Sequence, residues 1–234
     1  MQKSMVRLLS IADIISITNA VFGFLAILFL VSNIIEPDLR LRVSFSFILL
    51  ALLADGLDGI VARKLGKSDI GEYLESMADM TSLVIAPAVF IYFSYSDICI
   101  SCISRHIYLL LALVLFLAFG IIRLASFHIM KKDRFYLGLP ASASTLILLI
   151  ISYFSVDFIY ILPAVIIIGA FMASDIRFPK PGIKINAAAT GLILLSIVFD
   201  KSFFGFAPIL LLLAILIYSV GGAIFLFKKN VNIY

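Results

Sequence analysis

Eight apolar runs, each broken from the next by charged residues or by Pro and Gly, leave this chain few ways to fold. A run of roughly 20 apolar residues matches the hydrocarbon thickness of a bilayer. In lipid each segment must satisfy its own backbone hydrogen bonds, and that selects helices. The runs predict helices near 13–31, 43–62, 71–94, 106–129, 140–154, 158–174, 185–199 and 204–227. The expected fold is an all-α integral membrane protein, a bundle of about eight transmembrane helices. At 63% hydrophobic, the 234 residues read as a single membrane domain, 1–234, with no room for a separate soluble one. The fifth and seventh runs are short and read as tilted, partly interfacial or extended by neighbours. The first run lacks a small-residue cleavage site, so it reads as a retained helix rather than a signal peptide.

The basic residues orient such a bundle. With eight crossings, thirteen of the 18 Lys and Arg fall on one side: Lys3, Arg7, Arg63, Lys64, Lys67, Lys131, Lys132, Arg134, Arg177, Lys180, Lys184, Lys228 and Lys229. Four fall on the other: Arg40, Arg42, Arg105 and Lys201. Short cytoplasmic loops are enriched in Lys and Arg. Both termini and the 63–70 loop are therefore expected in the cytoplasm. Arg123 alone lies well inside a span.

The chemistry concentrates in two segments, Asp55-Gly-Leu-Asp58-Gly59-Ile-Val-Ala62-Arg63 and Gly71-Glu-Tyr-Leu-Glu75-Ser-Met-Ala-Asp79. A carboxylate at membrane depth is costly unless it pairs or binds a cation. Asp55, Asp58, Gly59 and Ala62 fall at offsets that share one helical face, and Gly71, Glu75 and Asp79 share another. The short loop between them makes the helices antiparallel neighbours, so two carboxylates from each can face a common volume. Clustered carboxylates repel unless a cation offsets them. A pair of Mg²⁺ or Mn²⁺ ions would do so and leave positive charge for phosphates. His106 and His128 are remote in sequence, which argues against zinc. The plainer alternative makes these acids loop charges paired with Arg63, Lys64 and Lys67.

These residues, in this order and spacing, resemble the signature of the CDP-alcohol phosphatidyltransferases. The pattern falls on Asp55, Asp58, Gly59, Ala62, Arg63, Gly71, Glu75 and Asp79. It departs at Glu75, where the family has Asp, and in a seven-residue spacer from Arg63 to Gly71, one shorter than the commonest form. Further segments resemble the phosphatidylserine synthase branch: Ile17-Thr18-Asn19 with Gly23, Ser76-Met77-Ala78-Asp79 leading to Ala86-Pro87-Ala88, Arg123-Leu124-Ala125, Gly138-Leu139-Pro140, and Met172-Ala173-Ser174 ahead of Arg177, Pro179 and Lys180.

The resemblance implies a metal-dependent transferase of phospholipid biosynthesis. A lipid-phosphate group passes from a CDP-diacylglycerol or CDP-archaeol type lipid to the hydroxyl of L-serine, and CMP leaves. It implies two divalent cations held by Asp55, Asp58, Glu75 and Asp79, with Asp79 also the proton acceptor. It implies a CDP-lipid site lined by Asn19, Asp55, Gly59, Ala62, Arg63 and Gly71, at the cytoplasmic face of the cell membrane. A homodimer among membrane lipids is the expected assembly, and nucleic acid is not an expected partner.

Arg123 either binds the serine carboxylate or a substrate phosphate, or pairs with an acid on another helix. The other basic residues of the 131–134 and 177–184 loops are candidates for phosphate or anionic-lipid binding. Cys99 and Cys102 either form a local disulfide outside the cytoplasm or are two incidental apolar residues, the preferred reading. Two competing functions stand beside serine transfer. One is the same chemistry with glycerol 3-phosphate or inositol phosphate, though those anions call for a more cationic pocket. The other is a divalent-cation transporter, which would more often show broken helices at the midplane and duplicated halves.

Overall fold

The computed structural model describes residues 9–66, 68–100, 102–127, 129–130 and 135–231. Expectations for Lys3, Arg7, Lys67, His128, Lys131, Lys132 and Arg134 lie outside these residues, as do those for the side chains of Cys99 and Lys229. Among the described residues the chain forms eight helical rods and one short strand pair. It divides into two compact units, Met1–Phe90 and Ile91–Tyr234.

In the first unit, α1 (Ile11–Val31) opens on a capping box. Ser10 N–H donates to Asp13 Oδ2 at 2.6 Å and Asp13 N–H donates to Ser10 Oγ at 3.3 Å, satisfying N-terminal donors that the helix cannot. Its buried face runs Ala12, Asp13, Ser16, Asn19, Gly23, Ala26 and Leu30, the spacing of one helical stripe. Helix α2 (Pro37–Leu65) lies against it, and Ser44 Oγ donates to the Ala26 carbonyl at 2.8 Å. It starts at Pro37 rather than near 43. Pro suits the first helical position, and the exposed Asp38–Arg42 ion pair at 3.1 Å supports a polar first turn.

The next rod, α3, is assembled from Gly71–Asp79, a π-helical stretch Met80–Ile85, and Ala86–Ile100. Its Ser82 meets α1 at Gly23. A Cβ on Gly23 would lie 2.6 Å from Ser82 Cα, so only glycine permits this approach.

The second unit comprises α4 (Ile103–Phe127), β1 (Phe135–Leu137), α5 (Ala141–Tyr153), α6 (Phe158–Met172), β2 (Arg177–Pro179), α7 (Ile183–Phe199) and α8 (Ser202–Val231). The two strands pair antiparallel, Phe135 opposite Pro179 and Leu137 opposite Arg177. Gly138 follows at φ +73°, where a Cβ would sit 2.2 Å from the Met172 carbonyl oxygen. That turn leads directly into α5, which is buried on nearly every side, as a helix apolar all round should be.

Five helical stretches are long and apolar enough to cross a membrane: Ile11–Val31, Pro37–Leu65, Gly71–Ser96, Ile103–Phe127 and Phe204–Lys228. Three further apolar helices, α5, α6 and α7, are shorter. Large apolar side chains such as Phe206, Ile217, Phe225 and Phe227 on α8 are exposed, the pattern of a surface made for lipid rather than water. The protein is an all-α membrane protein.

Candidate active site

The site is built where α1, the C-terminal part of α2 and the start of α3 meet within the first unit. Asp58 is buried, and Ser16 Oγ donates to its Oδ2 at 2.6 Å. One turn further along α1, Asn19 Nδ2 donates to Asp79 Oδ1 at 3.0 Å. The Asp55 and Asp79 carboxyl groups lie within hydrogen-bonding reach of one another. Asp55 also feels the charges of Asp58 and Glu75, and Asp79 those of Asp55, Glu75 and Asp58. All four expected carboxyl groups therefore interact in one cluster. Beside it Ala12, Asp13, Ser16, Asp58, Ala62, Gly71 and Glu75 line a cleft of about 10 Å³, space for one water-sized occupant.

The donor set suits a hard divalent cation. It offers carboxylate oxygens with no thiolate or imidazole, and Asn19 Oδ1 is buried without a hydrogen-bond partner. In the arrangement observed, Asp55 and Asp79 face one another, and no three Asp, Glu, His or Cys groups among the described residues converge as ligands. The residues present fit such an ion chemically.

The sequence-based expectations are placed as follows. Asp55, Asp58, Glu75, Asp79 and Asn19 come together, and Ala62 and Gly71 line the cleft. Gly59 and Arg63 are mutual neighbours: a Cβ on Gly59 would lie 3.8 Å from an Arg63 Nη atom. The Arg63 side chain is exposed, and neither residue lines the cleft.

Arg123 belongs to the second unit and is 7% exposed. Its Nε donates to the Leu139 carbonyl at 3.4 Å and its guanidinium lies 5.1 Å from the Phe127 ring centroid. No carboxylate among the described residues pairs with it, so the expected alternative of an acid on another helix is not seen among them.

Sequence reasoning missed Asp13 and Ser16. Both lie on the α1 stripe with Asn19 and Gly23, and polar residues at three- and four-residue spacing in an apolar run could have disclosed them. It also missed the π-helical stretch that begins immediately after Asp79. Such segments are frequent at functional sites.

Residues 9–226 match the model of the CDP-alcohol phosphatidyltransferase family. The chain belongs to that family. Among curated proteins it is similar to the CDP-diacylglycerol–serine O-phosphatidyltransferase of Methanocaldococcus jannaschii, 33% identical over 74% of this chain and 76% of that protein. It is also similar to the archaetidylserine synthase of Methanothermobacter thermautotrophicus, 32% identical over 76% of this chain and 73% of that one. The CDP-diacylglycerol–serine O-phosphatidyltransferase of Bacillus subtilis is 28% identical over 70% of this chain and 87% of its own length. As a CDP-alcohol phosphatidyltransferase the chain is a transferase of lipid synthesis, and a cation-transport reading of the acidic cluster falls away.

Proposed function

We infer that this chain is a single catalytic membrane domain. It transfers the phosphatidyl-type group of a CDP-activated lipid to the hydroxyl of L-serine and releases CMP. The observation that carries this reading is the meeting of Asp55, Asp58, Glu75 and Asp79 beside the polar stripe of α1, in a family member whose relatives bear serine-transfer names. Those names cover both diacylglycerol and archaeol lipids, so either tail chemistry suits the donor.

Asp55, Asp58, Glu75 and Asp79 would hold two Mg²⁺ or Mn²⁺ ions. Bound there, the ions would offset the charge of the diphosphate and of the departing CMP. The remaining work belongs to side chains. Asp79 takes the proton of the serine hydroxyl as the new oxygen–phosphorus bond forms and the bond to CMP breaks. Asn19 fixes Asp79 through its amide, and its free Oδ1 is available to the nucleotide. Ser16 fixes Asp58 in the same way. Ala62 and Gly71 line the cleft and leave it open, and Gly59 and Arg63 belong to the CDP-lipid site. Arg123 receives an anionic group of the acceptor.

The test is CMP release by purified protein with a CDP-lipid, Mg²⁺ or Mn²⁺, and each acceptor in turn. L-serine is expected to support it far better than glycerol 3-phosphate or inositol phosphate at equal concentration. Faster release with either phosphate acceptor would move the chain to another branch of the family.

The thirteen-to-four basic bias supports a site at the cytoplasmic face of the cell membrane. Single cysteines at positions 38 and 64, in a background without Cys99 and Cys102, read this out in intact cells. An impermeant thiol reagent is expected to label position 38 and spare position 64. The reverse pattern would invert the orientation.

A further inference from the structure

Helix α3 changes its winding where the acidic site ends. Gly71–Asp79 is α-helical, and Met80–Ile85, starting at the next residue, is π-helical. There the Ala86 N–H reaches the Thr81 carbonyl, five residues back instead of four. Two hydroxyls brace the change: Ser82 Oγ donates to the Ala78 carbonyl at 3.0 Å and Thr81 Oγ1 to the Met77 carbonyl at 3.2 Å. The wider turn acts on phase. Gly71, Glu75, Asp79, Leu83 and Pro87 recur at every fourth residue. In an α-helix each such step overshoots a full turn by about 40°, so Gly71 and Pro87 would stand about 160° apart. The π winding puts more residues into the turn and takes back part of that drift. Gly71 and Glu75 can then line the acidic cleft while Leu83 and Pro87 are buried further along the same rod.

Helix α1 touches both sides of this change. On the α-helical side Asn19 Nδ2 donates to Asp79 Oδ1 at 3.0 Å. One turn along α1, Gly23 meets Ser82 inside the π stretch. Ser82 is fully buried, and the approach is to its backbone: a Cβ on Gly23 would lie 2.6 Å from Ser82 Cα and 3.1 Å from its nitrogen. Backbone cannot swing aside as a long side chain does. Through Ser16 the same helix also holds Asp58 of α2. We propose that the π stretch, clamped by Gly23 against Ser82, is a positioning element for the transfer: it sets the rotation at which α3 presents Asp79 to the acids of α2. Rewinding 80–85 as α-helix would turn the Gly71–Asp79 segment against the rest of α3 by on the order of 100°, one residue's share of an α turn. Gly23 and Ser82 act through Asp79 rather than on a substrate, so the proposal rests on Asp79 as the proton acceptor.

CMP release by the full-length protein with a CDP-lipid, L-serine and Mg²⁺ or Mn²⁺ tests it. Gly23→Ala is expected to lower kcat by roughly 10²-fold, the scale of a misplacement of about 1 Å, with KM for serine and for CDP-lipid within about threefold of wild type. Gly191→Ala is the control, at a helical glycine where a Cβ meets open space, and should keep the wild-type kcat. Ser82→Ala keeps the Cβ and removes only the hydroxyl bond, and is expected to lower kcat about fivefold. Both losses should nearly vanish in an Asp79→Asn background, where each change costs less than about twofold more, because residues that act through one group are not additive. A glycine that only holds the fold together would cost the same factor in both backgrounds.

Ser82→Ala adds no atom, so its result stands even where Gly23→Ala fails to accumulate as folded protein. Losses of equal size with and without Asp79→Asn, a change in KM alone, or a Ser82→Ala kcat within about 1.5-fold of wild type overturns the positioning element and leaves serine transfer intact. An Asp79→Asn variant that turns over within a few-fold of wild type overturns it as well, since Asp79 is then not the group being aimed. A wild-type protein that releases CMP with another acceptor but not with serine removes the serine reading instead, and the same kcat comparison with that acceptor then decides the role of Gly23 and Ser82.

Discussion

Excess EDTA is expected to take CMP release to background, and Mg²⁺ or Mn²⁺ to restore it. The reason is electrostatic. Asp55, Asp58, Glu75 and Asp79 stand close enough to feel one another, with Ser16 and Asn19 as the polar contacts from α1. Four carboxylates without a cation repel each other and would repel the diphosphate of the donor. The same experiment has a readout that does not need turnover. A ligand that binds only the folded state stabilises it, by about 2.7 kcal/mol at a hundred times its dissociation constant. Mg²⁺ or Mn²⁺ should therefore raise the thermal midpoint of the wild type, and Asp58→Asn should blunt that rise. Full turnover in excess chelator, or a midpoint indifferent to both ions in the wild type, would remove the metal from the reading.

Much of this was legible in the primary structure, for identifiable reasons. A membrane helix announces itself by an apolar run, and all eight runs became rods. The polar first turn of α2, from Pro37, was not counted because an apolar pattern cannot include it; its cap and the Asp38–Arg42 pair supply the helix instead. The strands Phe135–Leu137 and Arg177–Pro179 are three residues each, too short for any period, and are fixed by pairing across forty residues of chain. Only Gly138 marked that turn, and its φ of +73° is the physical content of the mark.

The site divides along the same line. Asp55, Asp58, Glu75 and Asp79 were legible because two short helical offsets placed them on facing stripes. Asp13 and Ser16 were not singled out because a capping box and a buried serine on a first helix are ordinary on their own. Their meaning depends on which helix covers that stripe, a tertiary fact. The close approach of Gly23 to Ser82, and the π-helical turns around Ser82, are likewise decided by packing between α1 and α3 rather than by local sequence. Arg123 stood out as a lone cation in a span, but its hydrogen bond to the Leu139 carbonyl is made to a turn beyond the next strand, where no spacing rule reaches.

Asp79→Asn is expected to lose CMP release by roughly 10²–10⁴-fold, the range of base catalysis, while Glu75→Asp keeps substantial activity. The two acids sit one turn apart on α3 yet hold different positions. Glu75 lines the cleft with Asp58 and Gly71, a ligand's place. Shortening it to Asp preserves the charge and supplies the residue that the family pattern carries, so the change should show chiefly in the preference for Mg²⁺ or Mn²⁺. Asp79 is fixed by the Asn19 amide and lies beside Asp55. A carboxamide there can still accept the Asn19 hydrogen bond at its oxygen, so the fold and the binding of CDP-lipid should survive. What it cannot do is take the serine proton. Binding of CDP-lipid measured beside turnover separates the two effects. If Asp79→Asn turns over within a few-fold of wild type, the proton leaves by another route and Asp79 is a ligand only. If it loses both turnover and CDP-lipid binding, its charge serves the donor site before it serves the proton.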